Sequence, residues 1–207
     1  MKIATLLFIT IVSISSFGFS QSVTIGTQTW TTLNLDVATL RNGDVIPQAK
    51  TDEEWKAAGE NKQAAWCYYD NDPKNGAKYG KLYNWYAVND ARGLAADGWH
   101  VPTDQEWTVL STFLGGADVA GKKMKSSSGW LKNGNGTNSS GFSGLPGSCR
   151  CPIGYSFNDD FVDWWSSSDR YGDESNANFV QLTSYNSFLS RIYTAKYDGF
   201  SVRCVKD

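Results

Sequence analysis

The chain has 207 residues, with 19 Lys and Arg against 21 Asp and Glu, and a formal net charge of −2. So mild a balance leaves no electrostatic footprint for nucleic acid or an anionic membrane surface, and no basic run supplies one. Twenty Gly against five Pro, with 14% aromatic residues, describe a globular, turn-rich chain and exclude a disordered one.

Lys2, an apolar run over residues 3–14 and a small-residue stretch over 15–20 follow the order of a secretory signal peptide. Gly18 and Ser20 are the small residues near the expected cleavage before Gln21. The run is shorter than the roughly 20 residues of a membrane span. The first Cys is Cys67, so no lipid anchor on a new N-terminal Cys is expected. The reading is a signal peptide over residues 1–20 and a single domain over 21–207. The product is then secreted, periplasmic or at the cell surface.

Residues 23–25 and 28–33 read as short strands around a Gly26-Thr27 turn. Residues 41–44, Arg-Asn-Gly-Asp, form a turn. Thr51 and Thr103 each open a T-D-x-E-W segment with the spacing of a capping box, so each starts a helix. The first is short; the second runs to about Leu114 and ends at Gly115-Gly116. Residues 64–69 read as a strand and 70–76 as a polar turn. Residues 79–89 read as a helix, with Leu82, Tyr83, Tyr86 and Ala87 on one face. From 126 to 147 the chain is loop-rich, and 133–141 has no apolar side chain, which places it at the surface. Strands are predicted over 163–168, 178–182, 188–193 and 199–205. Two early helices followed by antiparallel strands give an α+β domain.

Four Cys in an exported chain suggest disulfides, in any of three pairings. In an extended strand Cys149 and Cys151 would have Cα atoms about 6.6 Å apart, the upper limit of bridge geometry, so a direct bond would be strained; a structural bridge there is still expected ahead of a redox role. His100, the single histidine, reads as a structural residue before a helix cap. Asp159, Asp160 and Asp163, like Asp169, Asp173 and Glu174, read as solvated loop charges. Asp70-x-Asp72 with Asn75-Gly76 resembles a calcium loop, but Lys74 holds the fifth position and Gly comes one residue late. Asp70 and Asp72 are thus a weak calcium candidate, and no other cofactor is expected. Most of the nine Trp are expected in the core.

Several segments carry a resemblance in a fixed order: 66–70 (Trp-Cys-Tyr-Tyr-Asp), 79–88, and 98–104 (Gly-Trp-His-Val-Pro-Thr-Asp) with Glu106-Trp107. Residues 136–138, 140–142, 145–147, 164–167 and 201–207 complete it. Together they resemble the Fibrobacter succinogenes major paralogous domain family, an exported bacterial family. Residues 98–103 with Glu106-Trp107, and 199–203, are also similar to segments of formylglycine-generating-enzyme domains. The resemblance implies a C-type-lectin-like fold, with two helices packed on a twisted antiparallel sheet and a long loop-rich half. In that fold the strands of Cys67 and Cys204 are neighbours, so a Cys67–Cys204 disulfide is expected. Ser148-Cys149-Arg150-Cys151 departs from the family's pattern.

The leading functional expectation is an exported, non-enzymatic recognition or surface-associated module. Its partner is an extracellular glycan or protein, with no nucleic acid and no membrane span. Binding is expected on the loop-rich half, through Tyr171, Asn176, Asn178, Tyr185 and Asn186, whose rings and amides suit sugars and peptides. One alternative is an enzyme of the oxidase-like branch using Cys149 and Cys151. Another is a structural domain of a cell-surface assembly.

Overall fold

The computed structural model describes residues 21–151, 154–157 and 160–207. Residues 1–20, where a signal peptide is expected, and Asp159 lie outside them. β1 (Ser22–Ile25) and β2 (Gln28–Thr31) form the expected hairpin, with Ile25 opposite Gln28. Gly26 makes the turn at φ 64°, a conformation that costs Gly nothing. β2 pairs with β12 (Val205–Lys206), which pairs with β5 (Trp99–His100), giving a four-stranded antiparallel sheet.

Both capped helices form. In α1 (Asp52–Glu60) the Thr51 side chain accepts from the Glu54 N–H, and Asp52, Glu53 and Glu54 load the first turn. Acidic residues there complement the helix dipole. The Glu54 carboxylate reaches back to the Lys50 N–H. In α4 (Asp104–Phe113) the box is complete: Thr103 accepts from Glu106, whose carboxylate accepts from the Thr103 N–H. Gly115 and Gly116, at φ 102° and 104°, turn the chain directly into α5 (Ala117–Met124), a helix the sequence reading passed over.

The helix expected over 79–89 does not form. The chain runs instead through α2 (Gly76–Tyr79), β4 (Leu82–Asn84) and α3 (Trp85–Val88). Gly80 breaks it at φ 71°, pressed so close to Leu35 that an added Cβ would lie 2.6 Å from the Leu35 carbonyl oxygen. Residues 79–85 are all buried. The apolar pattern therefore marks a strand covered on both faces, which periodicity confuses with a helical stripe.

Three antiparallel sheets replace the single sheet of the expectation. A five-stranded sheet runs in the order β3 (Trp66–Cys67), β4, β11 (Gly199–Phe200), β6 (Ser148–Cys151), β7 (Gly154–Phe157). A three-stranded sheet runs β10 (Ser190–Ala195), β9 (Asn176–Thr183), β8 (Phe161–Asp169). The expected closing strand over 199–205 divides between two sheets, β11 in one and β12 in another.

Eight Trp are buried and Trp99 is half-buried, so the indoles are core. Trp30 and Trp107 have ring centroids 4.6 Å apart, with Phe142 and Trp164 against them. A second cluster joins Trp165, Phe179 and Phe200. Arg203 is buried over the Phe142 and Trp164 rings. It donates to Asn34 Oδ1 and to the carbonyls of Thr31, Phe142 and Ser143. Burial pushes its pKa down to about 9, and its attachment to neutral oxygens makes it a cross-link between β2, the loop before β6 and the last segment.

Candidate functional site

The polar segment 133–141 is held by its backbone. The last turn of a helix leaves carbonyls without intrahelical partners, and this segment answers those at the end of α5 and just beyond it. Thr137 N–H donates to Lys122 O, Ser140 to Lys123 O, Asn138 to Lys125 O and Gly136 to Ser126 O. Gly136 must be Gly: a Cβ would lie 2.3 Å from Lys125 O and 2.6 Å from Lys122 O. The side chains of Thr137 and Ser139 are left exposed.

This arrangement opens a cleft of about 380 Å³ lined by Val119, Lys122, Lys123, Thr137, Ser139 and Ser187. A second hollow of about 320 Å³ adjoins it, sharing Lys123 and Ser139 and reaching Thr24 and Phe113. The Lys123 ammonium is fixed by donating to Leu114 O at the end of α4. Two ammonium groups and three hydroxyls can bind a ligand carrying oxygen acceptors and negative charge.

The five residues expected to form one binding face are not brought together. Tyr171 lies fully exposed in the β8–β9 turn, and Tyr185 lies beyond the other end of β9. Eight residues of strand put them about 26 Å apart. Asn176 Nδ2 donates to Asp173 and Asn178 Nδ2 to Asp169 O, so both amides brace the turn near Tyr171. Tyr185 O–H donates to Asp160 at 2.6 Å, and Lys132 lies over its ring. Asn186 Oδ1 accepts from Phe188 N–H, and its carbonyl accepts from buried Lys125. The length of β9, invisible in the composition of its two ends, separates them.

Asp70 sits at φ 53° in a 3-10 turn, and Asp72 Oδ1 accepts from Lys74 N–H. Asp72 thus acts as a local cap. Among the described residues no group of three or more His, Cys, Asp or Glu converges as a metal site would require.

His100 is more engaged than a plain scaffold residue. Nδ1 lies 2.6 Å from Asp207 Oδ1 and Nε2 lies 2.7 Å from Glu106 Oε1. Burial pushes its pKa down, but hydrogen bonds to Asp207 and Glu106 outweigh that and leave it raised. Both nitrogens can donate only in the imidazolium. A raised folded pKa gives stability that is fully present below the unfolded value of about 6.5 and is lost as pH rises through the folded value. His100→Gln should therefore cost most in acid, about 1 kcal/mol or less after solvent screening, and little in mild alkali. NMR titration of the single imidazole checks the direction; a midpoint at or below that of a free histidine would refute the latch.

All four cysteines are free, which corrects the expected Cys67–Cys204 disulfide and the structural bridge expected between Cys149 and Cys151. Cys67 packs with Trp55 and Leu82, whereas Cys204 lies in another cluster with Tyr83 and Trp165. Cys67 in β3 and Cys204, just before β12, thus lie in different clusters. Burial raises the Cys67 thiol to about 11 and the Cys204 thiol to about 12, so both are inert.

Cys149 and Cys151 are neighbours on one face of β6, and their thiols hydrogen-bond to each other. Cys149 is buried and Cys151 partly exposed. Asp163 and Asp198 bear on this pair electrostatically. Asp163, opposite Gln181 in the β8–β9 register, accepts a 2.9 Å hydrogen bond from it. Burial pushes the Asp163 carboxyl up to about 7. The sequence reading placed Asp163 among solvated charges; the unbroken apolar flanks Val162, Trp164 and Trp165, which mark a strand buried on both faces, were the signal that it lies inside.

The molecule is a mixed domain of small antiparallel sheets, with a Trp core and a lysine-rimmed cleft beside α5. The chain belongs to the family described as the Fibrobacter succinogenes major domain, which matches residues 23–206. No curated protein and no solved structure matches it.

Proposed function

We propose that this chain is an exported, non-enzymatic recognition module with a C-type-lectin-like domain, and that it binds an acidic saccharide in the cleft beside α5. The observation that carries the binding reading is the cleft itself: Lys122, Lys123, Thr137, Ser139 and Ser187 line a space of about 380 Å³. Its wall is fixed by backbone hydrogen bonds before any ligand arrives. Pre-organisation lowers the ordering cost of binding. Uronate carboxylates would meet the lysines, and ring hydroxyls would meet Thr and Ser. Export is supported by the order of charge, apolar run and small residues over 1–20. The fold reading is supported by the resemblance of segments 98–107 and 199–203. The indoles are buried, apart from half-buried Trp99; the exposed rings are Tyr together with Phe113 and Phe188, and Phe113 borders the adjoining hollow.

The test is a glycan array with uronate-bearing and neutral oligosaccharides, followed by calorimetry on the hits. Lys122→Glu should weaken an acidic ligand at least about tenfold, with a matching loss in high salt. Gly136→Ala, which pushes the loop off α5, should weaken it too. Equal binding of neutral sugars, or an affinity indifferent to Lys122→Glu, would overturn the assignment.

A further inference from the structure

We propose a second, independent site: Cys149 and Cys151 form a dithiol that exchanges with a small-molecule disulfide, Cys151 as the attacking thiol and Cys149 as the resolving one. The cleft reading plays no part in it. Three features of the structure divide the roles. The two thiols share one face of β6 because side chains two residues apart point the same way. Cys151 is partly exposed while Cys149 is buried, so an incoming disulfide meets Cys151 first. Arg150, between them, is fully buried with its guanidinium over the Tyr155 and Trp55 rings and paired to Asp52.

The electrostatics agree with this division. The hydrogen bond from the Cys149 thiol, with a smaller contribution from Arg150, pulls Cys151 down against its burial. That same hydrogen bond, together with burial, holds Cys149 up as the protonated partner. A lowered thiol is the reactive one.

The Cys151 thiolate attacks one sulfur of R–S–S–R′; the S–S bond breaks, and R′S⁻ leaves and takes up the proton released by Cys151. Cys149 gives its proton to the Asp163 carboxylate and attacks Cys151 Sγ. The mixed disulfide breaks, and RS⁻ leaves with the proton from Asp163. The chain loses two electrons and two protons, and the substrate gains them as two thiols. A carboxyl near 7 can take and return that proton at neutral pH. The Cα spacing of an extended C-x-C, about 6.6 Å, lies at the limit of disulfide geometry. The oxidised form must bend β6, so it is readily reduced again.

The experiment incubates the purified chain with oxidised glutathione, quenches in acid, alkylates and maps the peptides. Expected are a Cys149–Cys151 bond, with Cys67 and Cys204 still alkylated only after unfolding, and reversal by reduced glutathione. Cys149→Ser should stop at a glutathione adduct on Cys151. Asp163→Asn should slow closure of the intramolecular bond at least about tenfold while leaving formation of that adduct unchanged. Free Cys149 and Cys151 after oxidation, or a bond from either to Cys67 or Cys204, would overturn the proposal. Should Cys149→Ser fail to fold, the peptide map of the unaltered chain decides alone.

Discussion

Trp107→Ala is expected to lower the unfolding free energy by about 3–5 kcal/mol, the largest loss of any single truncation considered. Trp107 is fully buried on α4, with Trp30, Phe142 and Trp164 around its ring. The hairpin β1–β2, helix α4, the loop before β6 and strand β8 each contribute one of these rings. Removing one ring therefore loosens contacts between four parts of the chain. Nothing nearby is small enough to fill the space, because the neighbours are themselves rings. Trp107→Phe gives the control. The Trp107 Nε1–H is buried without a hydrogen-bond partner, so Phe removes an unpaired donor along with some volume and should cost less than about 1.5 kcal/mol. Urea unfolding measures both. The expected pattern is a lower midpoint at constant slope for Ala and a small change for Phe. Comparable losses in the two variants would mean that the indole N–H, not ring packing, holds this junction.

Asp163→Asn is expected to stabilise the protein most in mild alkali and not in strong acid. The Asp163 carboxyl lies on β8, faced by Gln181 from β9, Cys151 from β6 and Asp198 from the β10–β11 turn. Burial raises its pKa from 3.8 to about 7. Between these values the unfolded chain is ionised and the folded chain keeps the proton. Stability from this group is present below the unfolded value and falls as pH rises through the folded one. About three units correspond to at most about 4 kcal/mol. Asn keeps an oxygen for Gln181 and carries no charge. The variant should match the natural chain below about pH 3.8, exceed it by roughly 1–2 kcal/mol at pH 5 and by roughly 2–4 kcal/mol at pH 8. A difference that does not change with pH would show that the carboxyl is not buried as described.

Local chemistry was legible where one residue dictates one conformation. Thr51 and Thr103 announced helix starts, Gly26 a hairpin and Gly115-Gly116 a helix end, because caps and turns are read over three or four residues. Residues 79–89 misled, because a strand buried on both faces and a helix stripe share a spacing. α5 went unread since Ala117–Met124 mixes two Lys and a Gly into a short run whose apolar face is Ala120 and Met124. The polar loop was rightly placed at the surface, but its service to α5 depends on backbone groups that no side-chain pattern reveals. The dithiol was visible as C-x-C, yet its proton acceptor comes from a strand a dozen residues on. The Cys67–Cys204 pairing rested on the neighbour relation of two strands, which tertiary structure alone decides.

Segment 133–141 is anchored to α5 through N–H groups, which every residue but Pro possesses. Asn135, Thr137, Asn138 and Ser140 add side-chain hydrogen bonds, but the backbone attachment to α5 does not depend on them. Positions 139, 122 and 187 can be rewritten with the backbone attachment kept, and 137 at the loss of one side-chain hydrogen bond to Lys122 O, while Gly134, packed on Ser184, and Gly136 cannot. One skeleton can thus carry a repertoire of specificities. Randomising those four positions on this scaffold, and selecting against a panel of saccharides, would turn a single binder into a display library with its constant and variable parts already separated.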